Sequence, residues 1–129
     1  MTDIGIMLYG YGEEHAMLIH STLERVLGQD VELISAARQE ERVVSEILER
    51  ADGVNFEERE DKVLMVLGFS DEQLETTLRE FPGAEGLQRP IFCMLTQHNA
   101  RWPLTHLIED LTAERRAFRE MRRKQAEGE

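Results

Sequence analysis

A chain of 129 residues with 26 acidic and 15 basic side chains has a formal net charge of −11, which repels polyanions and sets nucleic acid aside as an expected partner. The length suits one domain that buries about two-thirds of the surface its unfolded chain exposes, and the single cysteine, Cys93, has no partner for an internal bridge. No charged-then-apolar leader opens the chain and its apolar runs fall far short of the ~20 residues of a spanning helix, so a reducing cytoplasm is the expected compartment and no membrane is expected as a partner.

In chain order, the apolar run Ile4–Tyr9 reads as a strand. Over Glu13–Leu27 the residues Ala16, Ile19, His20, Leu23, Val26 and Leu27 recur at helical spacing, and Gly28 stands where a left-handed cap would end a helix. Val31–Ser35 alternates as a half-exposed strand does, and Val43, Val44, Ile47, Leu48 and Ala51 mark a second helix stopped near Asp52 and Gly53. Residues 55–61 form an acidic loop and residues 62–69 a third strand. Ser70 and Gln73 have the spacing of a capping box, and Phe81-Pro82-Gly83 closes the helix they begin. Residues 90–96 supply a fourth strand, and a last helix starts near Pro103, with Leu104, Leu107, Ile108, Leu111 and Phe118 on one stripe.

Strands that alternate with helices predict an α/β layer fold, and continuously apolar first, third and fourth strands predict helices over both faces. The expected architecture is one domain with a four-stranded, mostly parallel sheet in the order 2-1-3-4, divided into an N-terminal half (1–61) and a C-terminal half (62–122). A ferredoxin-like α+β arrangement, with the middle helix an insertion, satisfies the same periodicity.

The segment from Leu8 to Leu18 has the look of a nucleotide-binding turn, with Gly10 and Gly12 ahead of a helix. The third glycine of a dinucleotide fingerprint is replaced by His15, and Glu13 and Glu14 already complement the helix dipole and would repel a pyrophosphate. No cofactor is expected there. The turn has an echo: at one constant offset Met7, Gly10, Tyr11 and Glu14 match Met65, Gly68, Phe69 and Glu72. Duplicated ligand-binding halves would produce this, and so would two strand-to-helix turns with the same local needs.

From Leu67 the stretch "LGFSDEQLETTL", followed by "PIFCMLTQHNARWPLTHLIEDL", resembles a bacterial domain-of-unknown-function family. The residues that carry the resemblance are Gly68, Phe69, Ser70, Asp71, Gln73 and Leu74, then Leu95, Thr96, Asn99 and Trp102. The chain departs from the family pattern at Gln97 and His98, where Pro-Thr follows the threonine in relatives. The resemblance implies no activity.

Candidate chemistry is sparse. His15 and His20 lack the spacing of a helical zinc pair, so no metal is expected, and Cys93 lies inside an apolar strand with no cation beside it in sequence. The run 115–124, with six basic residues, reads as a solvated helix end or as an anion-binding arm. In the loop 96–102, Thr96, His98 and Asn99 offer polar groups to a ligand and Trp102 a stacking ring, yet Asn99 also suits an Asx-turn and Trp102 a packing staple. With both glycine turns assigned to the sheet's carboxyl edge, the candidate ligand residues are Gly10, Tyr11, Gly68, Phe69, Thr96, His98, Asn99 and Trp102. Two functions stay open: a non-catalytic binding or regulatory module, homodimeric through the fourth strand and last helix, and a small enzyme acting on a metabolite with His98 as acid or base.

Overall fold

The computed structural model describes residues 3–51 and 55–127. Strand β1 (Ile4–Tyr9) leads through helix α1 (Glu13–Leu27) to β2 (Val31–Ser35), and α2 (Val44–Arg50) follows. The second half repeats the order: β3 (Val63–Leu67), α3 (Asp71–Glu80), β4 (Ile91–Met94), a 3-10 turn at Asn99–Arg101 and α4 (Leu104–Glu127). Local chemistry accounts for several boundaries. Gly28 caps α1 at φ 70°, a conformation without cost for a residue that lacks Cβ. Ser70 and Gln73 bond reciprocally as a full capping box at the start of α3. Helix α2 ends at Ala51, itself left-handed at φ 45°, whereas the expected stop at Asp52 and Gly53 lies outside the described residues.

The four strands form one sheet in the order β2-β1-β3-β4. β1 and β2 are parallel, as are β3 and β4, but the two central strands meet antiparallel, with Gly5 opposite Leu67, Met7 opposite Met65 and Tyr9 opposite Val63. The sheet is therefore mixed, mostly parallel, in the strand order the sequence predicts. The ferredoxin-like alternative does not hold: each βαβ pair is adjacent rather than split, and α2 belongs to a helical layer.

Alternation along the strands distributes two cores. Met7, Tyr9, Ile34, Val63 and Met65 face α2 and α4 through Val44, Ile47, Leu104, Leu107 and Ile108. Ile4, Ile6, Leu8, Val31, Leu64 and Val66 face α1 through Ala16, Ile19 and Leu23, with Leu74 of α3 and Phe81 at its end packed beside them. Burial on both faces explains why β1 and β3 read as unbroken apolar runs.

Gly10 fixes how the chain leaves β1. Its φ is +93°, and a Cβ there would lie 2.0 Å from the Asp61 carbonyl oxygen, while a Cβ on Gly12 would meet nothing within 4 Å. Gly10→Ala is expected to cost at least about 3 kcal/mol in urea melts, and Gly12→Ala less than about 1 kcal/mol. Equal losses at the two positions would contradict this role for Gly10.

Candidate functional site

The antiparallel β1–β3 junction sends the carboxyl ends of the strands to opposite edges. Gly10 and Tyr11 follow β1 where β3 begins, beside Asp61 and Lys62. Gly68 and Phe69 follow β3 where β1 begins, with Gly68 against the Asp3 backbone. The loop from Thr96 follows β4, which is parallel to β3, and so shares the Gly68 edge. The expectation that one carboxyl edge gathers both glycine turns and the 96–102 loop is corrected here: Gly10 and Tyr11 are separated from Gly68, Phe69, Thr96, His98 and Asn99 by the length of the sheet.

The individual contacts show what these residues hold. The Gly10 carbonyl accepts the Arg59 amide at 3.0 Å and the Lys62 ammonium at 3.0 Å, so the turn is packed by the chain's own segment. Tyr11 is buried, and its hydroxyl donates to the Gln88 carbonyl at 2.6 Å. Asn99 is buried and organises the loop: its Oδ1 accepts the Thr96 amide at 2.8 Å, its Nδ2 donates to the Met94 carbonyl at 2.9 Å, and its own amide donates to Thr96 Oγ1 at 3.0 Å. Trp102 packs on the core shared by α2 and α4 and lies 4.5 Å from the His106 ring, edge to face. Thr96 and His98 are exposed. Of the loop residues, Asn99 and Trp102 thus have clear structural work.

At the β1 end, the acidic loop of residues 55–61 carries an ion-pair chain. The Tyr9 hydroxyl donates to Glu40 at 2.8 Å, Arg59 stands 3.9 Å from Glu40 and 2.8 Å from Glu57, and Arg38 reaches Glu57 at 2.8 Å from a left-handed backbone, φ 63°. The Arg38 and Arg59 hydrogen bonds hold the Glu57 carboxyl below the usual carboxylate range. Lys62, just ahead of β3 where the sequence places the start of that strand, is buried, with its ammonium on the Gly10 and Arg59 carbonyls and 5.7 Å from the Tyr11 ring centre. The Tyr9–Glu40, Arg38–Glu57, Arg59–Glu40 and Lys62–Gly10 contacts join residues distant in sequence, so no local pattern announces them. Among the described residues no group of three or more His, Cys, Asp or Glu side chains is placed to hold a metal ion.

The open side of β4 is chemically different from the rest of the surface. At the other margin, β2 carries the exposed, charged Glu32. From Ile91 to Leu95 there is no charge, and Met94 and Leu95 are 49 % and 41 % exposed. A groove of about 290 Å³ runs beside the strand, lined by Ile91, Phe92, Leu111, Glu114, Arg115 and Phe118. Helix α4 continues past Leu111, its last residue packed on the core, and from 113 to 126 every side chain is exposed, including Phe118 at 58 % and Met121 at 59 %. At 1.5 Å per residue this arm is about 20 Å long. Cys93, in the middle of β4, packs against the core, and burial pushes its thiol up to about 12, far from the range of a nucleophilic thiolate. No helix among the described residues is long and apolar enough to cross a membrane.

Both tyrosines are poised to resist ionisation. Burial, and then the bond to Glu40, push the Tyr9 hydroxyl up to about 12, and burial raises that of Tyr11. Because the folded values lie above the unfolded value near 10, this contribution to stability is complete below pH ~10 and is lost as pH rises through the folded values. Ultraviolet titration of the folded protein should show almost no phenolate at pH ~10.5, with half-ionisation near pH ~10 once urea unfolds it. Coincident titrations in the two states would contradict the burial of these hydroxyls.

No curated protein and no solved structure matches the chain. Residues 62–118, the half that runs from the start of β3 to Phe118 of α4, match the family model described as a domain of unknown function (DUF3783).

Proposed function

We propose that the protein is a non-catalytic assembly module that associates with a second copy of itself along the β4 edge and the flanking stripe of α4. The observation that carries this reading is the uncharged, apolar margin of β4, bordered by the groove against Leu111 and Phe118. Exposed edge strands are ordinarily protected by charge, proline or a covering element; the four residues Ile91–Met94 carry no charge and no proline, Pro90 standing just before them, and an apolar edge of this kind is open to strand pairing. Methionine, phenylalanine and arginine, the residues of this margin and of the α4 arm, are also those enriched where proteins meet.

Charge favours a second copy as the occupant. Between Glu114 and Lys124 six basic residues stand against two acidic ones, whereas the whole chain is at −11. Each copy therefore offers a basic arm and an acidic body, which are complementary to one another. A twofold arrangement would present the same patch from both protomers. An enzyme centred on His98 draws less support, because the Gly10 turn, half of the expected ligand edge, lies at the far end of the sheet.

Sedimentation equilibrium at high micromolar concentration is expected to return a dimer. Met94→Lys with Phe118→Glu should raise the dimer Kd by about a hundredfold or more, while Met17→Glu, an equally exposed site on α1, should leave it unchanged. A monomeric mass for the unaltered chain, or a dimer indifferent to the β4 and α4 changes, would overturn the proposal.

A further inference from the structure

The two halves of the chain repeat each other far beyond the glycine turn. Gly10 and Gly68 both leave a central strand with positive φ, +93° and +75°. Two residues later Gly12 and Ser70 cap α1 and α3 with nearly identical backbones, φ −72°, ψ 171° and φ −76°, ψ 167°. Each helix returns to a strand parallel to the first, on the outer side of the sheet, and a second helix follows on the opposite face. Val44, Ile47 and Leu48 of α2 correspond in order to Leu104, Leu107 and Ile108 of α4, and all six pack in one core.

The contacts between the halves are themselves reciprocal. Met7 and Met65 are equivalent in the repeat and are also directly opposite one another across the β1–β3 pair, which places the axis relating the halves between them. On the helical face, Val43 and Pro103 form an isolated antiparallel bridge; the Val44 amide donates to the Trp102 carbonyl at 2.9 Å, and the Leu104 amide donates to the Arg42 carbonyl at 2.9 Å. An antiparallel bridge exchanges its bonds reciprocally wherever it occurs; this one lies on the axis relating the halves because Val44 and Leu104, its two donors, are themselves equivalent in the repeat. The half that begins at residue 62 is the one that matches the family model.

We infer that the edge of β3, together with the entry of α4 at Trp102 to Leu104, is a docking surface for a βαβα unit of the same kind, and that residues 4–50 are the cis-supplied occupant. The C-terminal unit is then a pairing module whose partner surface is self-complementary about Met65. This interface is separate from the β4 edge, and its test is made in the Met94→Lys, Phe118→Glu background, with Met94→Lys in every copy of β4, so that association through β4 does not enter the readout.

In one experiment a site for a specific protease is inserted after Ala51 and the folded chain is cut. The two pieces should stay together at the mass of the intact chain, with a urea midpoint that rises with protein concentration. Pieces that separate at micromolar concentration would overturn the inference. In a second, residues 4–50 are replaced by another copy of residues 62–110, and residues 51–61 are kept as the connection. This tandem chain should be monomeric and unfold in one cooperative transition. A tandem chain without a cooperative transition, beside a cut chain that holds together, would show that the surface accepts only its own N-terminal half and would reject a shared pairing mode.

Discussion

Five consecutive residue pairs, from Gly5 opposite Leu67 to Tyr9 opposite Val63, join the halves of the sheet antiparallel, and most features of the molecule descend from that one junction. It brings the two most buried strands to the centre, where helices cover both faces and neither has an open edge. It also turns the carboxyl ends of β1 and β3 in opposite directions. A doubly wound parallel sheet gathers its strand ends into one crevice where ligands bind; here each end of the sheet receives half of them. The glycine turns accordingly hold chain against chain, Gly10 against Asp61 and Gly68 against Asp3.

Strands and helices were legible because their signals are local. The 3.6-residue period of α1, its glycine cap and the Ser70–Gln73 box each require only neighbouring residues, and all three stand where the sequence places them. Strand order matches the expected 2-1-3-4, although apolarity alone does not give it: the fourth strand reads as an unbroken apolar run like the first and third, yet β4 stands at the edge and is only partly buried. Strand direction was not legible. Burial on both faces imposes the same composition on a parallel and an antiparallel neighbour, so nothing in Ile4–Tyr9 or Val63–Leu67 distinguishes them. The candidate ligand edge depended on that direction, and the separation of Gly10 and Tyr11 from the 96–102 loop follows from it. Likewise, the acidic composition of residues 55–61 concealed Arg59 between Glu40 and Glu57, whose partner Glu40 comes from another loop.

The echo between the two glycine turns shows how far structure outlasts sequence. Identity fades within the first turn of α1 and α3, and the helices differ in length, 15 residues against 10. Yet the caps, the parallel returns and the reciprocal Val44–Trp102 and Leu104–Arg42 bonds persist. Helix and strand positions are held by which faces must be buried, and many apolar side chains meet that need, so architecture tolerates changes that erase likeness in sequence. The same logic locates the outer surface: β1 and β3 are paired on both sides, so among the described strands the open edges are those of β2, guarded by Glu32, and of β4, which has no charged residue.

Hydrogen exchange measured residue by residue under native conditions tests the central junction most directly, because amides released only by global opening report which contacts the fold cannot lose. If the β1–β3 pairing holds the two halves as one cooperative structure, the bonded amides of Gly5–Tyr9 and Val63–Leu67 will be the slowest and will share one free energy of opening equal to that of global unfolding. Faster exchange in β3 than in β1, with each half opening at its own free energy, would contradict the account.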